Sequence, residues 1–254
     1  QALLHRKDKA GRLVAFCSGV LINRRWVLTA AHCTNYFNVT MVRLGEHDVT
    51  RNDDGVHEDF GVAEVKFYPG YQPPKAYHDI SLIKLTRTVN LRRNIRPACL
   101  PWGNELGSDL PLEGNTVTST GWGGTVFFGD PLSPFLNEID VTILSTDVCA
   151  KSYSTFQDYA HDYPQGLGEE TLCIGDPSDN EIIKDNCPGD SGGPAHLLRG
   201  GRYIVVGIVS HGFGGGKKGF PGLYVNIQYP KHIAWIKKVA FTRNWQHQQD
   251  FQYN

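Results

Sequence analysis

Residues 187–194 read Cys187-Pro188-Gly189-Asp190-Ser191-Gly192-Gly193-Pro194. A serine lies between glycines, behind an aspartate, with a proline closing the turn. Glycine lets a backbone come close to a substrate and adopt angles that a Cβ forbids. Two backbone N–H groups around such a serine can point into one small space, which is the geometry of an oxyanion hole. Alone, the stretch also fits a glycine-rich surface turn, so its chemistry depends on what else the chain supplies.

A neutral serine hydroxyl is a weak nucleophile until an imidazole takes its proton. The imidazole works better when a buried carboxylate fixes its tautomer. The chain has 10 His, any one of which is by default a surface or core residue. His32 stands apart, because it follows the apolar run Trp26-Val27-Leu28 and is clamped by Cys33. Asp79 leads into Ile80-Ser81-Leu82-Ile83-Lys84-Leu85, where an acid is costly unless paired. A strand-start cap is the plainer role for Asp79 taken alone. Two competing motifs fail on context. Gly189-x-Ser191-x-Gly193 fits the nucleophile elbow of α/β-hydrolases, but Pro194 and the strand-like Tyr203 to Ser210 follow in place of a helix. Gly214-x-Gly216-x-x-Gly219 fits a dinucleotide fingerprint, but strand-like Leu223-Tyr224-Val225 follows it. Lys217 and Lys218 read as a solvated loop.

With 254 residues the chain can bury a large core, in one domain or two. Its formal net charge of −1 points to neither nucleic acid nor an anionic membrane, and no apolar run reaches the length of a membrane span. With 28 Gly, 14 Pro and 11% aromatic residues, turns and strands are favoured over long helices. The six cysteines, Cys17, Cys33, Cys99, Cys149, Cys173 and Cys187, contain no C-x-x-C pair, and no H-E-x-x-H occurs, so zinc-ligand spacing is absent and no metal is expected to be required. Widely spaced cysteines in such a chain suggest disulfides and an oxidising, extracellular compartment. Asn38-Val39-Thr40 is an N-glycosylation sequon. No basic-then-apolar leader opens the sequence, so for a secreted form the targeting segment has been removed or lies outside this sequence.

Short strands are expected within residues 1–29, at 41–50, 62–68 and 80–85, and near 116–121, 138–144, 204–210 and 222–227. Thr29 to Cys33 reads as a strand end turning into one helical turn, and 150–186 as long surface loops around Cys173. Only 229–241 carries a helical stripe, Ile233, Ile236 and Val239, and 242–254 reads as a frayed polar tail. Such spacing indicates an all-β sandwich or barrel, not βαβ units.

Thr29-Ala30-Ala31-His32-Cys33, Asp79-Ile80-Ser81-Leu82 and Gly189-Asp190-Ser191-Gly192-Gly193-Pro194, in that order, closely resemble the chymotrypsin family of trypsin-like serine proteases. Leu44-Gly45-Glu46, Arg96-Pro97-Ala98-Cys99-Leu100-Pro101, Gly121-Trp122-Gly123 and Pro221-Gly222-Leu223-Tyr224 extend the resemblance over roughly residues 1–241. It implies two six-stranded antiparallel β-barrels with the site between them and a C-terminal helix. It implies Ser191 as nucleophile, His32 as base and Asp79 as its orienter, with the N–H groups of Gly189 and Ser191 as oxyanion hole. Ser210 matches the serine that bonds the triad aspartate. Asp185, six before the nucleophile, matches the floor of the primary specificity pocket, where an aspartate selects Arg or Lys. It also sits in an acidic stretch with Asp176, Asp179 and Glu181, and could simply belong to it. Gly212 and Gly222 match the pocket walls. Cys17–Cys33 and Cys149–Cys173 match two family disulfides, and Cys99 matches a cysteine that often ties to a segment upstream of the activation site. The expected function is a secreted endopeptidase made as a zymogen, acting on proteins or peptides and met by protein protease inhibitors. The alternative is a catalytically inert, protease-like binding module or cofactor.

Several positions depart from the family pattern. The family's active form begins with an Ile-Val-Gly-Gly-like terminus whose amine pairs with the acid here represented by Asp190. In a chain starting at Gln1, Asp190 is expected to reorient or protonate and the Gly189 N–H to lose its aim, leaving a poor protease. Gly215 stands where the partner of Cys187 would be, and Val117 and Leu197 replace another disulfide. His211 replaces the usual tryptophan beside the substrate strand, and Pro188 precedes the oxyanion glycine. The turn from Glu46 to Glu58 matches the calcium loop of some relatives, with Asp48, Asp53, Asp54 and Glu58 as oxygen ligands and His57 near a ligand position. A solvated acidic turn is the other way to read it.

Overall fold

Apolar residues recurring along short strands close two sheets on themselves. In the computed structural model, which describes residues 1–51, 57–102, 112–124, 132–178, 184–213 and 217–241, six strands form the first barrel: β1 (Ala2–Lys7), β2 (Leu13–Leu21), β3 (Trp26–Thr29), β4 (Val39–Leu44), β5 (Glu58–Phe67) and β6 (Ser81–Leu85). Six more form the second: β7 (Thr116–Gly121), β8 (Asn137–Leu144), β9 (Thr171–Gly175), β10 (Pro194–Arg199), β11 (Arg202–His211) and β12 (Gly222–Asn226). The orders are β1-β2-β3-β6-β5-β4 and β10-β11-β12-β9-β8-β7, so both barrels wind the same way. The chain therefore has the chymotrypsin-like two-barrel architecture. Closure leaves neither sheet with an open edge.

Leu4, Leu28, Val42, Phe60, Leu82 and Ile83 fill the first barrel, and Val117, Val141, Ile143, Ala195, Val206 and Tyr224 the second. Helix α1 (Ala31–Asn35) follows β3 directly, and helix α4 (Pro230–Ala240) ends the described chain with Pro230 in its first turn. Ile236 of α4 is fully buried on the first core, with Ile233 and Val239 packed beside it, as the helical stripe predicts.

Two helices lie where the sequence indicates surface loops. Helix α2 (Thr146–Tyr153) buries only Cys149, and α3 (Gln157–Asp162) buries nothing. Neither has an apolar stripe for a 3.6-residue period to reveal. The Ser145 hydroxyl caps α2 by accepting from the Asp147 N–H at 3.4 Å. Strand β9 was hidden in the same span, because all five of its residues are buried and no alternation marks it. The strand expected over 41–50 stops at Leu44, where Gly45 turns the chain with φ +80°. Residues 242–254 lie outside the described part. Among the described residues no helix is long and apolar enough to cross a membrane.

Candidate active site

The register of β3 on β6 pairs Thr29 with Ser81 and Leu28 with Leu82. That pairing carries Asp79, two residues before β6, to the start of α1. The residue before α1, Ala30, has no side chain to cap it. The Asp79 carboxylate does this from a distance of 47 residues: the His32 backbone N–H donates to Oδ1 at 2.7 Å. The same carboxylate accepts from His32 Nδ1 at 2.7 Å through Oδ2. Ser210, near the end of β11 in the other barrel, donates to Oδ2 at 2.6 Å. Asp79 is 0% exposed, so three donors answer its burial. Burial works to raise its pKa, but His32, then His211 and Ser210, more than reverse this and hold it below the ordinary carboxylate range. Burial likewise works to lower the His32 pKa, and the charge and hydrogen bond of Asp79 outweigh it, so the imidazole titrates above its usual value.

Ser191 reaches the same place from the second barrel. Its carbonyl accepts from the Ser18 N–H of β2 at 2.8 Å, while the Gly192 N–H donates to Val209 of β11 at 2.8 Å. Gly192 has φ +80°, and a Cβ there would lie 2.1 Å from Thr29 Oγ1 and 2.4 Å from the Ser18 carbonyl. Only glycine lets this turn seat against the first barrel. The Cys17–Cys33 disulfide stands at the junction, with Cys33 Sγ 3.6 Å from His32 Nε2 and 3.6 Å from the Ser191 carbonyl. Among the described residues no hydrogen bond joins Ser191 Oγ to His32. Gly189 takes φ +106°, and neither its amide nor that of Ser191 donates to another backbone carbonyl. Asp190 points away from both, accepting from the Gly123 N–H at 2.7 Å and the Cys187 N–H at 2.9 Å. Burial raises its pKa, and these amides offset this only in part.

Asp185 is half-buried on the loop before Cys187, its Oδ1 accepting from the Asn186 N–H at 2.8 Å. A Cβ on Gly222 would lie 3.5 Å from that oxygen and 3.0 Å from the Tyr224 ring, so Gly222 flanks the carboxylate. Burial, and then the Asp185 charge, pushes the Tyr153 phenol up, and Tyr153 donates to the Pro221 carbonyl at 2.9 Å. Gly212 is exposed just after β11. Gly215, Asp179 and Glu181 lie outside the described residues. The second disulfide is Cys149–Cys173, tying α2 to β9. Cys99 and Cys187 belong to neither bridge. Cys99 is half-buried, and burial raises its thiol pKa.

The described carboxylates of the Glu46–Glu58 turn are engaged by neighbouring side chains and do not converge on an open site. Glu46 carries Arg43 at 3.1 Å and His57 at 3.4 Å. Glu58 pairs with Arg87 and with Arg92, the latter at 3.3 Å. Asp48 Oδ1 accepts from the Thr50 N–H at 3.0 Å and hydroxyl at 2.6 Å. Calcium takes roughly six to eight oxygen ligands, and here Glu46 and Glu58 already face basic side chains while Asp48 is turned to Thr50. Asp53 and Asp54 lie outside the described residues.

Two sets of contacts were not legible in the sequence. His211 Nδ1 lies 2.7 Å from Ser210 Oγ and 3.8 Å from Asp79 Oδ2. His78, the residue before Asp79, takes the left-handed region at φ 55°. Its Nδ1 lies 2.9 Å from Nε2 of the fully buried His232, whose Nδ1 donates to the Asn226 carbonyl at 2.7 Å. Burial lowers the His232 pKa to about 4. The only sequence signal for either was a histidine at an unusual position.

Two closed six-stranded antiparallel barrels followed by a short C-terminal helix are the architecture of chymotrypsin-like serine peptidases. A sequence model of the family described as Trypsin matches residues 1–236, and the chain belongs to that family. It is 33% identical to Serine protease 7 of Drosophila melanogaster over 92% of this chain and 60% of that protein. It is 34% identical to Serine protease snk of Drosophila melanogaster over 90% of this chain and 50% of that protein. It is 32% identical to the Clotting factor G beta subunit of Tachypleus tridentatus, over 90% of this chain and 72% of that protein. The chain thus spans about half to three fifths of the length of the two Drosophila relatives.

Proposed function

We propose that the chain is a secreted serine endopeptidase, made as a zymogen, that hydrolyses peptide bonds after Arg or Lys. The observation that carries this is the buried Asp79 carboxylate gripping His32 at both its backbone N–H and Nδ1, 2.7 Å each. A carboxylate so placed fixes the tautomer that leaves Nε2 with the lone pair and stabilises the imidazolium once it forms. His32 Nε2 takes the proton of Ser191 Oγ as the oxygen attacks the substrate carbonyl. The N–H groups of Gly189 and Ser191 receive the oxyanion, and His32 returns the proton to the leaving amine. Water then releases the acyl group by the same steps in reverse order of proton transfer. The Ser191–His32 hydrogen bond forms when substrate is bound, as catalytic contacts commonly do.

Asp185 pairs with the Arg or Lys side chain before the scissile bond, with Gly222 and Gly212 leaving room for it. The protease domain is residues 1–241, followed by the polar tail 242–254. Asn38 is exposed and open to glycosylation. Cys99 links the domain to an upstream segment, and protein inhibitors compete with protein substrates at the cleft. No cofactor takes part in these steps.

Peptide amides ending in Arg and in Phe, offered to the activated protein, test the specificity, with Arg expected to be cleaved faster. Faster cleavage of the Phe substrate overturns the assignment of Asp185. The inert alternative is favoured by one observation, the missing hydrogen bond between Ser191 and His32. Titration with an organophosphonate separates the two, since stoichiometric labelling of Ser191 excludes an inert module.

A further inference from the structure

Lys217 and Phe220 are the first and last residues of a turn closed by the Phe220 N–H, which donates to the Lys217 carbonyl at 3.0 Å. Gly219 takes the left-handed region there, φ +83°, which glycine adopts without a Cβ clash. The turn sets the two side chains together, with Lys217 Nζ 4.5 Å from the centroid of the Phe220 ring. The same ammonium lies 4.0 Å from the Phe213 ring and 5.2 Å from the Phe156 ring. The three rings also pack on one another, at centroid distances of 4.6 Å for Phe156–Phe213, 5.1 Å for Phe156–Phe220 and 5.2 Å for Phe213–Phe220. A cation over an aromatic face is attracted by the ring quadrupole, and ring pairs at such spacing add their own attraction. A residue that the sequence places in a solvated loop is thus the cationic cap of a three-ring cluster.

The rings come from three stretches. Phe156 directly precedes α3, Phe213 follows Gly212 just beyond β11, and Phe220 stands two residues before Gly222 at the start of β12. Gly212 and Gly222 are the two positions assigned to the walls of the specificity pocket, and Gly222 flanks the Asp185 carboxylate. The cluster therefore joins the stretches carrying both walls to the α2–α3 junction. Tyr153 of α2 backs it, with its ring 6.0 Å from Phe220 and its hydroxyl donating to the Pro221 carbonyl at 2.9 Å. We propose that Lys217 is a positioning residue: its ammonium clasps Phe156, Phe213 and Phe220, and this clasp fixes the spacing of the Gly212 and Gly222 walls and so the pocket's grip on an Arg or Lys side chain. The pocket itself rests on the assignment of Asp185 under the proposed function; the clasp does not. Charge alone would act with the opposite sign. An ammonium near the pocket repels a cationic ligand, so its removal would tighten binding unless the walls loosen.

Lys217→Met keeps an unbranched apolar stem without the charge, Lys217→Arg keeps a cation, Phe213→Leu removes one ring, and Lys218→Met removes the neighbouring charge as a control. Circular dichroism checks that each full-length variant is folded. Amide exchange of residues 217–222, read by mass spectrometry, reports the clasp without any turnover. Calorimetric titration of the activated proteins with benzamidine reports the pocket. Lys217→Met and Phe213→Leu are expected to speed exchange, to weaken benzamidine about fivefold, and to raise KM for an Arg peptide amide by a similar factor with a smaller change in kcat. Lys217→Arg is expected to stay within about twofold of the parent, and Lys218→Met to bind benzamidine no more weakly than the parent. Unchanged exchange in Lys217→Met, or Lys217→Arg matching Lys217→Met, overturns the clasp. Faster exchange with benzamidine affinity unchanged, or Lys218→Met weakening benzamidine as much as Lys217→Met, overturns the role in positioning the pocket. Exchange that still separates Lys217→Met from the parent and Lys217→Arg, in a parent that neither binds benzamidine nor cleaves the Arg amide, would leave the clasp standing and remove the Asp185 assignment.

Discussion

Asp79 and Asp190 are both buried carboxylates at the same cleft, 0% and 8% exposed, yet their protonation is pushed in opposite directions. Asp79 faces an imidazole that can carry charge and a hydroxyl, besides one backbone amide, and its pKa falls. Asp190 faces backbone amides and the Asn186 side chain, with no full positive charge among those partners, and its pKa rises. Burial is the leading influence on both. The difference shows that a titratable partner, not the number of donors alone, decides whether a buried acid stays ionised. It also separates the His32 side of the proposed site, which the first barrel holds through Asp79, from the Ser191 side, which depends on a glycine turn beside Asp190.

The sharpest way to break this comparison is to neutralise each acid in turn. Asp79→Asn leaves the shape but permits the wrong His32 tautomer, and kcat for the activated protein is expected to fall about 10⁴-fold. A drop of less than tenfold in steady-state kinetics would mean that Asp79 does not orient the base. Asp190→Asn acts on the other half. An amide cannot accept from both the Gly123 and Cys187 N–H groups, so the turn carrying Gly189 should shift. The expected loss is that of one oxyanion donor, about 10²–10³ in kcat. A loss as large as that of Asp79→Asn would erase the distinction between the halves.

The pH dependence of stability carries the opposite sign for Asp190 and for the buried His232. Asp190 has a raised folded pKa, so its favourable contribution is complete below the unfolded value near 4 and is lost as pH rises through the folded pKa. His232 titrates at about 4 against 6.5 unfolded. Its contribution is complete above pH 6.5 and is lost as pH falls toward 4. Urea unfolding between these limits should therefore show stability rising with pH through His232, and His232→Phe should flatten that rise. An unchanged slope would show that the contact with His78 does not depend on a neutral His232.

The two disulfides close separations of 16 and 24 residues, so the chain-entropy model gives each about 3 kcal/mol. Replacing either pair by alanine should lower stability by a similar amount in urea melts. Only loss of Cys17–Cys33, which touches His32 and the Ser191 carbonyl, should also lower kcat in the folded variant. Equal activity in both folded variants would show that this disulfide is structural alone.

Much of the site was legible because its chemistry depends on residue type at fixed spacing. The Gly189–Gly193 turn needs glycine at positive φ and at the contact with Thr29 and Ser18, and sequence displays glycine directly. His32 beside Cys33, Asp79 ahead of an apolar strand and the Ile233–Ile236–Val239 stripe are local patterns too, and the two barrels and α4 match them. Helices α2 and α3 escaped because they cover almost nothing, and β9 because it is covered on both faces; periodicity needs one wet and one dry side. The cations on Glu46 and Glu58 escaped for another reason. Acidic spacing alone does not tell a calcium ligand from a carboxylate whose partner arrives from Arg43, Arg87 or Arg92.

The sequence by itself determined the family, the two barrels, the disulfide pairs and the identities of the groups that meet in the cleft. The tertiary structure alone decided what those groups do to one another. The protonated Nδ1 of His211 follows from a hydroxyl already committed to Asp79, and His78 is tied to a helix 154 residues away. Residue type and spacing survive as text, whereas the direction of a hydrogen bond depends on every other acceptor within reach, and barrel closure brings those acceptors from opposite ends of the chain.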